Sequence, residues 1–183
     1  MEDISLHILD VAENSINAGA TLVHVGISEN RTDDILSVQI KDNGTGIPED
    51  VIAEVLNPFY TTRTTRKIGM GLSLLAQAAR DTGGNISVES VLGKGTTVTV
   101  NFRPGHIDMK PLGSVADTFA VLIAGNPGID FVFSYTAEDG AYSFDTREIR
   151  SALDGLPINT PDVISAIRED IKIALNALKK MVS

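Results

Sequence analysis

Asp10, Asn14 and Asn17 are spaced four and three residues apart, so on a helix they share one face. Asn14 offers a neutral amide oxygen, which suits a Mg²⁺ ion that keeps most of its waters and is otherwise held by phosphates. Asp10, one turn earlier, can accept a proton from water or from a protein hydroxyl near a terminal phosphate. The same three residues also fit the plain polar side of an amphipathic helix. Asp42 closes an apolar run and is followed at once by Asn43-Gly44-Thr45-Gly46. A carboxylate there can accept a hydrogen bond from an adenine amino group, and glycines let backbone approach the base. Asp-Asn-Gly is equally strong turn chemistry at a strand end.

Gly69 and Gly71 precede a helix that begins Leu72-Ser73. Free amides at a helix start favour phosphate. The Lys-Ser/Thr ending of the P-loop and the third glycine of the dinucleotide fingerprint are both absent. Arg63, Arg66 and Lys67 lie within five residues, and Arg63 and Lys67 can reach terminal phosphates. Alone, they are also a solvated surface run. Gly95-Thr96-Thr97 opens a later strand, where a Thr hydroxyl can meet a purine; by itself the triplet is strand composition.

These residues need elements to hold them. A helix is predicted over 4–18, capped by Asp3 and ended by Gly19. Val23, Val25 and Ile27 alternate, as do Leu36, Val38 and Ile40, predicting two half-buried strands. Pro48 with Glu49 and Asp50 opens a short helix. Residues 57–70 are polar and aperiodic, a loop. A helix over 71–80 and strands at 86–91 and 96–102 follow. Arg103-Pro104-Gly105 divides the chain into residues 1–104 and a C-terminal α+β region, 105–183. That region carries a helix near 114–124, a hairpin with strands at 131–136 and 141–144, a helix from Asp145 to Gly155, and a long last helix behind Pro161. The hairpin either joins the main sheet or builds a second layer. The stripe Ile164, Ile167, Ile171, Leu175 and Leu178 either covers this chain's own core or forms a homodimer seam.

Composition narrows the field. The chain has 183 residues, 43% of them hydrophobic, enough for a real core. Its formal charge of -9 is spread over both halves, which argues against a nucleic-acid or anionic-membrane surface. There is no Cys, and His7, His24 and His106 have no metal-ligand spacing. No apolar run reaches membrane-spanning length and the N-terminus is acidic, so a cytoplasmic protein is expected.

Taken in order, DVAENSINAGAT, DNGTGIPED, NPFYTTR, IGMGLS and GKGTT resemble the boxes of the Bergerat-fold (GHKL) ATPases. This superfamily includes gyrase B, heat-shock chaperones, histidine kinases and MutL-type repair proteins. The first block is closest to the MutL type, and the later three to sensor kinases. The resemblance covers about residues 4–103 and implies a two-layer α/β sandwich with a mixed sheet. It implies that ATP and Mg²⁺ are bound, with Asn14 on the metal and Asp42 on the adenine amino group. Gly44, Gly46, Gly69 and Gly71 would shape the pocket, and Thr96 or Thr97 would close it. Tyr60, Thr61, Thr62 and Arg63 would belong to its lid. Asn17, Ile47, Met70 and Leu72 complete the nucleotide-contacting set, and Asp10, Arg63 and Lys67 the catalytic set.

Departures from the pattern bear on subfamily. Relatives that hydrolyse ATP or phosphorylate serine usually carry Glu where Asp10 stands, and histidine kinases more often Asn or His. Only nine residues precede Asp10, too few for a hairpin presenting a phospho-accepting His, and His7 is expected to be structural. The 79 residues after position 104 are few for a gyrase- or MutL-type transducer domain. The expectation is a stand-alone kinase acting on a separate protein partner, through a Ser/Thr or a His acceptor. An ATP-gated binding module and a slow ATPase switch are the alternatives.

Overall fold

The computed structural model describes residues 3–56 and 70–180. Twelve elements are present among them: α1 (Ile4–Asn17), β1 (Leu22–Asn30), β2 (Ile35–Asp42), α2 (Glu49–Val55), α3 (Met70–Asp81), β3 (Asn85–Val91), β4 (Gly95–Phe102), α4 (Val115–Gly125), β5 (Asp130–Ala137), β6 (Gly140–Asp145), α5 (Thr146–Ala152) and α6 (Pro161–Lys180). The strands form one six-stranded sheet in the order β3-β4-β2-β1-β5-β6. All pairs are antiparallel except β1 with β5, which is parallel. Helices pack on one face, so this is the two-layer, mixed-sheet α/β sandwich that the sequence led us to expect.

Alternation decides which side chains meet the helices. Val23, Val25 and Ile27 of β1, Leu36, Val38 and Ile40 of β2, and Val98, Val100 and Phe102 of β4 are buried. Ile8, Val11 and Ala12 of α1 and Leu72, Leu75 and Ala79 of α3 join them in one core. The hairpin β5-β6 extends the main sheet, with Val23 beside Phe131 and Val25 beside Phe133. The core is therefore continuous across Arg103-Pro104-Gly105. Phe119 of α4 meets Phe131 edge-on at 6.5 Å, Phe133 at 4.9 Å and Phe144 at 5.1 Å. Such rings each contribute about 2–3 kcal/mol by burial.

Both ends of α1 are tied down. Asp3 accepts from the Leu6 amide, and the Ile4 and Ser5 amides donate to the carbonyls of Pro111 and Leu112. The segment after the first sheet half thus caps the first helix. The stripe of α6 is spent inside the chain: Ile167, Ile171, Leu175 and Leu178 are all buried in the same core. One boundary differs from expectation. α5 stops at Ala152, and Leu153 caps it; Asp145 accepts from the Arg147 amide at its start.

His7 is 3% exposed, and among the described residues its Nδ1 has no hydrogen-bond partner. Burial pushes its pKa below the ordinary 6.5. Both states are neutral above that value. Below it the unfolded chain takes up a proton that the folded chain refuses, so stability falls as pH drops from about 6.5. Thermal unfolding of the wild type and of His7→Leu between pH 7.5 and 5 checks this. The variant's melting temperature should fall less steeply with acid.

Candidate functional site

The C-terminal half of α1, the end of β2 and the start of β4 enclose a cavity of about 500 Å³. Val11, Asn14, Ser15, Asn17 and Ala18 line it from α1 and its cap. Asp42, Thr45, Gly46 and Ile47 line it from β2 and the following loop; Leu72, Thr96 and Val98 complete it. Its lining combines apolar Val11, Ile47, Leu72 and Val98 with polar Asn14, Asn17, Asp42 and Thr96, the usual build of a ligand pocket.

Asp42 is held at three points. Its Oδ1 accepts from the Gly44 amide at 2.8 Å and the Thr96 amide at 3.3 Å, and its Oδ2 accepts from Ser15 Oγ at 2.7 Å. Oδ2 retains acceptor capacity toward the cavity. The loop is stapled to α1: Thr45 N donates to the Ala18 carbonyl, and Asn43 Oδ1 accepts from the Thr21 and Leu22 amides. At the opposite wall Ser90 Oγ accepts from the Ile47 amide at 2.7 Å, donates to the Gly95 carbonyl at 3.0 Å and lies 2.9 Å from Thr96 Oγ1. With the Ser90 proton on Gly95, the Thr96 hydroxyl is the donor of that last pair and keeps its lone pairs for the cavity.

Two glycines make this geometry possible. Gly46 has φ +74°, and a Cβ there would lie 2.5 Å from the Val91 carbonyl oxygen. Gly95 has φ +114°, and its Cβ would lie 2.0 Å from the carbonyl oxygen of Asp42. Gly95→Ala should therefore cost about 2–4 kcal/mol and displace Asp42, since strain and backbone overlap act together. Urea unfolding and ATP titration of the variant measure both effects.

Asp10 does not line the cavity. It lies beside the first turn of α3. A Cβ on Gly71 would be 3.4 Å from Asp10 Cβ and Oδ2 and 3.5 Å from Asn14 Nδ2. α3 is described from Met70, and its first turn stands beside Asp10 and Asn14. Among the expected residues, Asn14, Asn17, Asp42, Gly46, Ile47, Leu72 and Thr96 line the cavity, and Gly44 and Gly71 pack against its walls. Thr97 does not: it alternates to the far face of the sheet, where it pairs with Lys41 and Glu89. Tyr60, Thr61, Thr62, Arg63, Lys67 and Gly69 lie outside the described residues. Ser15 and Ser90 were not singled out from the sequence. Ser90 had a signal: it follows Ile86 and Val88 at period two, so it is a hydroxyl at a core-facing position.

Among the described residues no three His, Asp or Glu groups converge as a metal cage. A single amide oxygen at Asn14 would suit an ion held mainly by phosphate and water. No helix among the described residues is long and apolar enough to cross a membrane.

Residues 2–106 match the family described as histidine kinase-, DNA gyrase B- and HSP90-like ATPase. Sensor kinase CckA of Brucella abortus is 41% identical over 78 residues, which are 42% of this chain and 8% of that protein. Sensor protein SrrB of Staphylococcus aureus is 33% identical over 105 residues, 55% of this chain and 18% of that protein. The chain thus spans less than one fifth of either relative. Among solved structures, the N-terminal domain of a DNA repair protein superposes with a TM-score of 0.51 at 15% identity, covering 79% of this chain and 52% of that one. That likeness concerns the fold alone. A match over more than half the chain, on a cavity built from the same ordered blocks, places the protein in the histidine kinase-, gyrase B- and HSP90-like ATPase family, with an ATP-binding domain of the histidine-kinase type.

Proposed function

We propose that the protein is an Mg-ATP-dependent kinase that transfers the γ-phosphate to a separate protein. The observation that carries this reading is the placement of Asp10 and Asn14. They stand one turn apart on α1 beside the first turn of α3, Asn14 within the cavity lining and Asp10 outside it. With adenine at Asp42 and Thr96, the phosphates run toward that turn. Arg63 and Lys67 are the cations assigned to neutralise the phosphate charge. Asn14 would hold Mg²⁺ together with phosphate oxygens; the bound ion neutralises phosphate charge and orients the γ-phosphoryl group.

Asp10 takes the proton of an acceptor hydroxyl as its oxygen bonds to the γ-phosphorus. The bond to the β–γ bridging oxygen breaks and ADP leaves. A carboxylate base serves a Ser or Thr hydroxyl, whereas a neutral imidazole attacks with its own lone pair. Asp10 therefore favours a hydroxyl acceptor over a His. Similarity to sensor kinases supports a kinase in general terms.

The test is incubation with γ-labelled ATP and Mg²⁺, alone and with cell extract. An acid-stable label on a second protein is the expected outcome, and an acid-labile label would move the acceptor to His. Release of phosphate without any labelled protein would replace the kinase by an ATPase switch. ATP binding with no turnover would leave an ATP-gated binder. That last reading has one observation in its favour: β5 and α4 of the C-terminal region pack directly on β1 and α1, so nucleotide contacts at α1 are mechanically linked to that region.

A further inference from the structure

The sheet face away from the helices is uncovered by any described helix and is almost wholly polar. Its rows are set by register. Across the middle run Glu89, Thr97, Lys41, His24, Val132 and Asp145; the next row is Ser87, Thr99, Gln39, Gly26, Ser134 and Ser143. A sheet with one solvated face is ordinary. A hole in it is not. At Gly26 the missing side chain leaves a depression of about 200 Å³, lined by His24, Gly26, Gln39, Lys41, Val132 and Ser134. A Cβ at position 26 would touch Ser134 Oγ at 3.4 Å.

The lining contains no carboxylate, in a chain of net charge -9. Lys41 and His24 are direct cross-strand partners, an arrangement that costs energy when both are charged. Among the described residues Lys41 makes no ion pair. Asp145, the nearest acid along that row, is engaged by Arg147 through both of its oxygens. One ammonium, one imidazole, the Ser134 hydroxyl and a Cβ-free floor thus converge with no carboxylate in the lining.

We propose that this depression is a binding site for a small phosphate dianion, free or as a phosphate monoester. Its oxyanion sits between Lys41 and His24, and Ser134 donates a further hydrogen bond. The site is separate from the ATP cavity. Lys41 precedes Asp42 on β2 and points to the opposite face, so the two sites stand back to back through the sheet. Nothing in this assignment depends on the phosphoryl-transfer reading.

Burial first, and then Arg147 of α5 and Lys41 of β2, push the His24 pKa below 6.5, and Asp145 of β6 opposes them. A bound dianion reverses the balance and favours the imidazolium. The experiment is an NMR titration of the His24 imidazole in nucleotide-free protein, assigned with His24→Gln. Inorganic phosphate is the probe, and sodium chloride at equal ionic strength is the control. The expected result is an upward shift of the His24 midpoint by about one unit in phosphate relative to chloride. The shift disappears in Lys41→Met and is reduced in Ser134→Ala, while ATP affinity is retained in both. Equal midpoints in phosphate and chloride would overturn the site. So would a shift that persists unchanged in Lys41→Met. If glucose 6-phosphate reproduces the shift, the ligand class includes monoesters; if it does not, the site is confined to free phosphate.

Discussion

If Asp10 is the base of the proposed transfer, an Asp10→Asn protein should bind ATP with wild-type affinity and transfer phosphate about 100- to 10,000-fold more slowly. The two halves of that expectation have separate causes. Binding survives because Asp10 is not part of the cavity wall, and the amide is nearly isosteric with the carboxylate. Gly71, whose Cβ position lies 3.4 Å from Asp10 Oδ2, therefore keeps its neighbour. Turnover falls because an amide cannot take a proton. Isothermal titration with a non-hydrolysable ATP analogue and single-turnover label transfer measure the two halves independently. Equal turnover in wild type and variant would end the role of Asp10 as base. Asp10→Glu is the companion. A longer acid reaches further over α3, so it should retain more activity than the amide if proton transfer is the lost step.

The second large effect belongs to Asp42. Asp42→Asn should weaken ATP binding about 100-fold, near 2.7 kcal/mol, with a much smaller effect on folding. The amide oxygen can still accept from the Gly44 and Thr96 amides, and Ser15 can turn its proton to the Val11 carbonyl, 3.2 Å away. The amide nitrogen then faces the cavity in place of Oδ2. With adenine against Asp42 as proposed, a donor would meet its amino group, also a donor, so one hydrogen bond would be lost and a repulsion gained. Asp42→Ala should do more damage to the fold, because the Gly44 amide and the Ser15 hydroxyl both lose a partner. Unchanged ATP affinity in Asp42→Asn would mean that the base does not sit against this carboxylate.

Much of this was readable in the chain. Alternation at Val23–Ile27 and Leu36–Ile40 places two strands and their buried faces, and Asp3 and Gly19 bracket the first helix. The blocks around Asn14, Asp42, Gly71 and Thr96 come together in space as their order suggested. What was not readable was long-range or depended on phase. The hairpin of β5 and β6 has no local instruction to pair with β1; burial of Phe131 and Phe133 against α4 decides it. Thr96 and Thr97 have the same chemistry, and only their phase relative to Val98 and Val100 sends one into the cavity and the other to the open face. Ser15 escaped notice because a lone Ser on a helix is usually solvated. Its value comes from Asp42, twenty-seven residues away.

The parallel pairing of β1 with β5 has a consequence for how the molecule is made. Leu22 waits for Asp130, so β1 keeps an open edge until residue 130 has been synthesised. Loop closure over that distance puts the step late in folding and makes it slow. The nascent ATP-binding part would pass through a stage in which Val23, Val25 and Ile27 border an unpaired strand, a template for aggregation. Pulse-labelled hydrogen exchange during refolding should find the β1 amides that face β5 protected last, after those that face β2. Early protection there would show that the edge is covered sooner, by some other part of the chain.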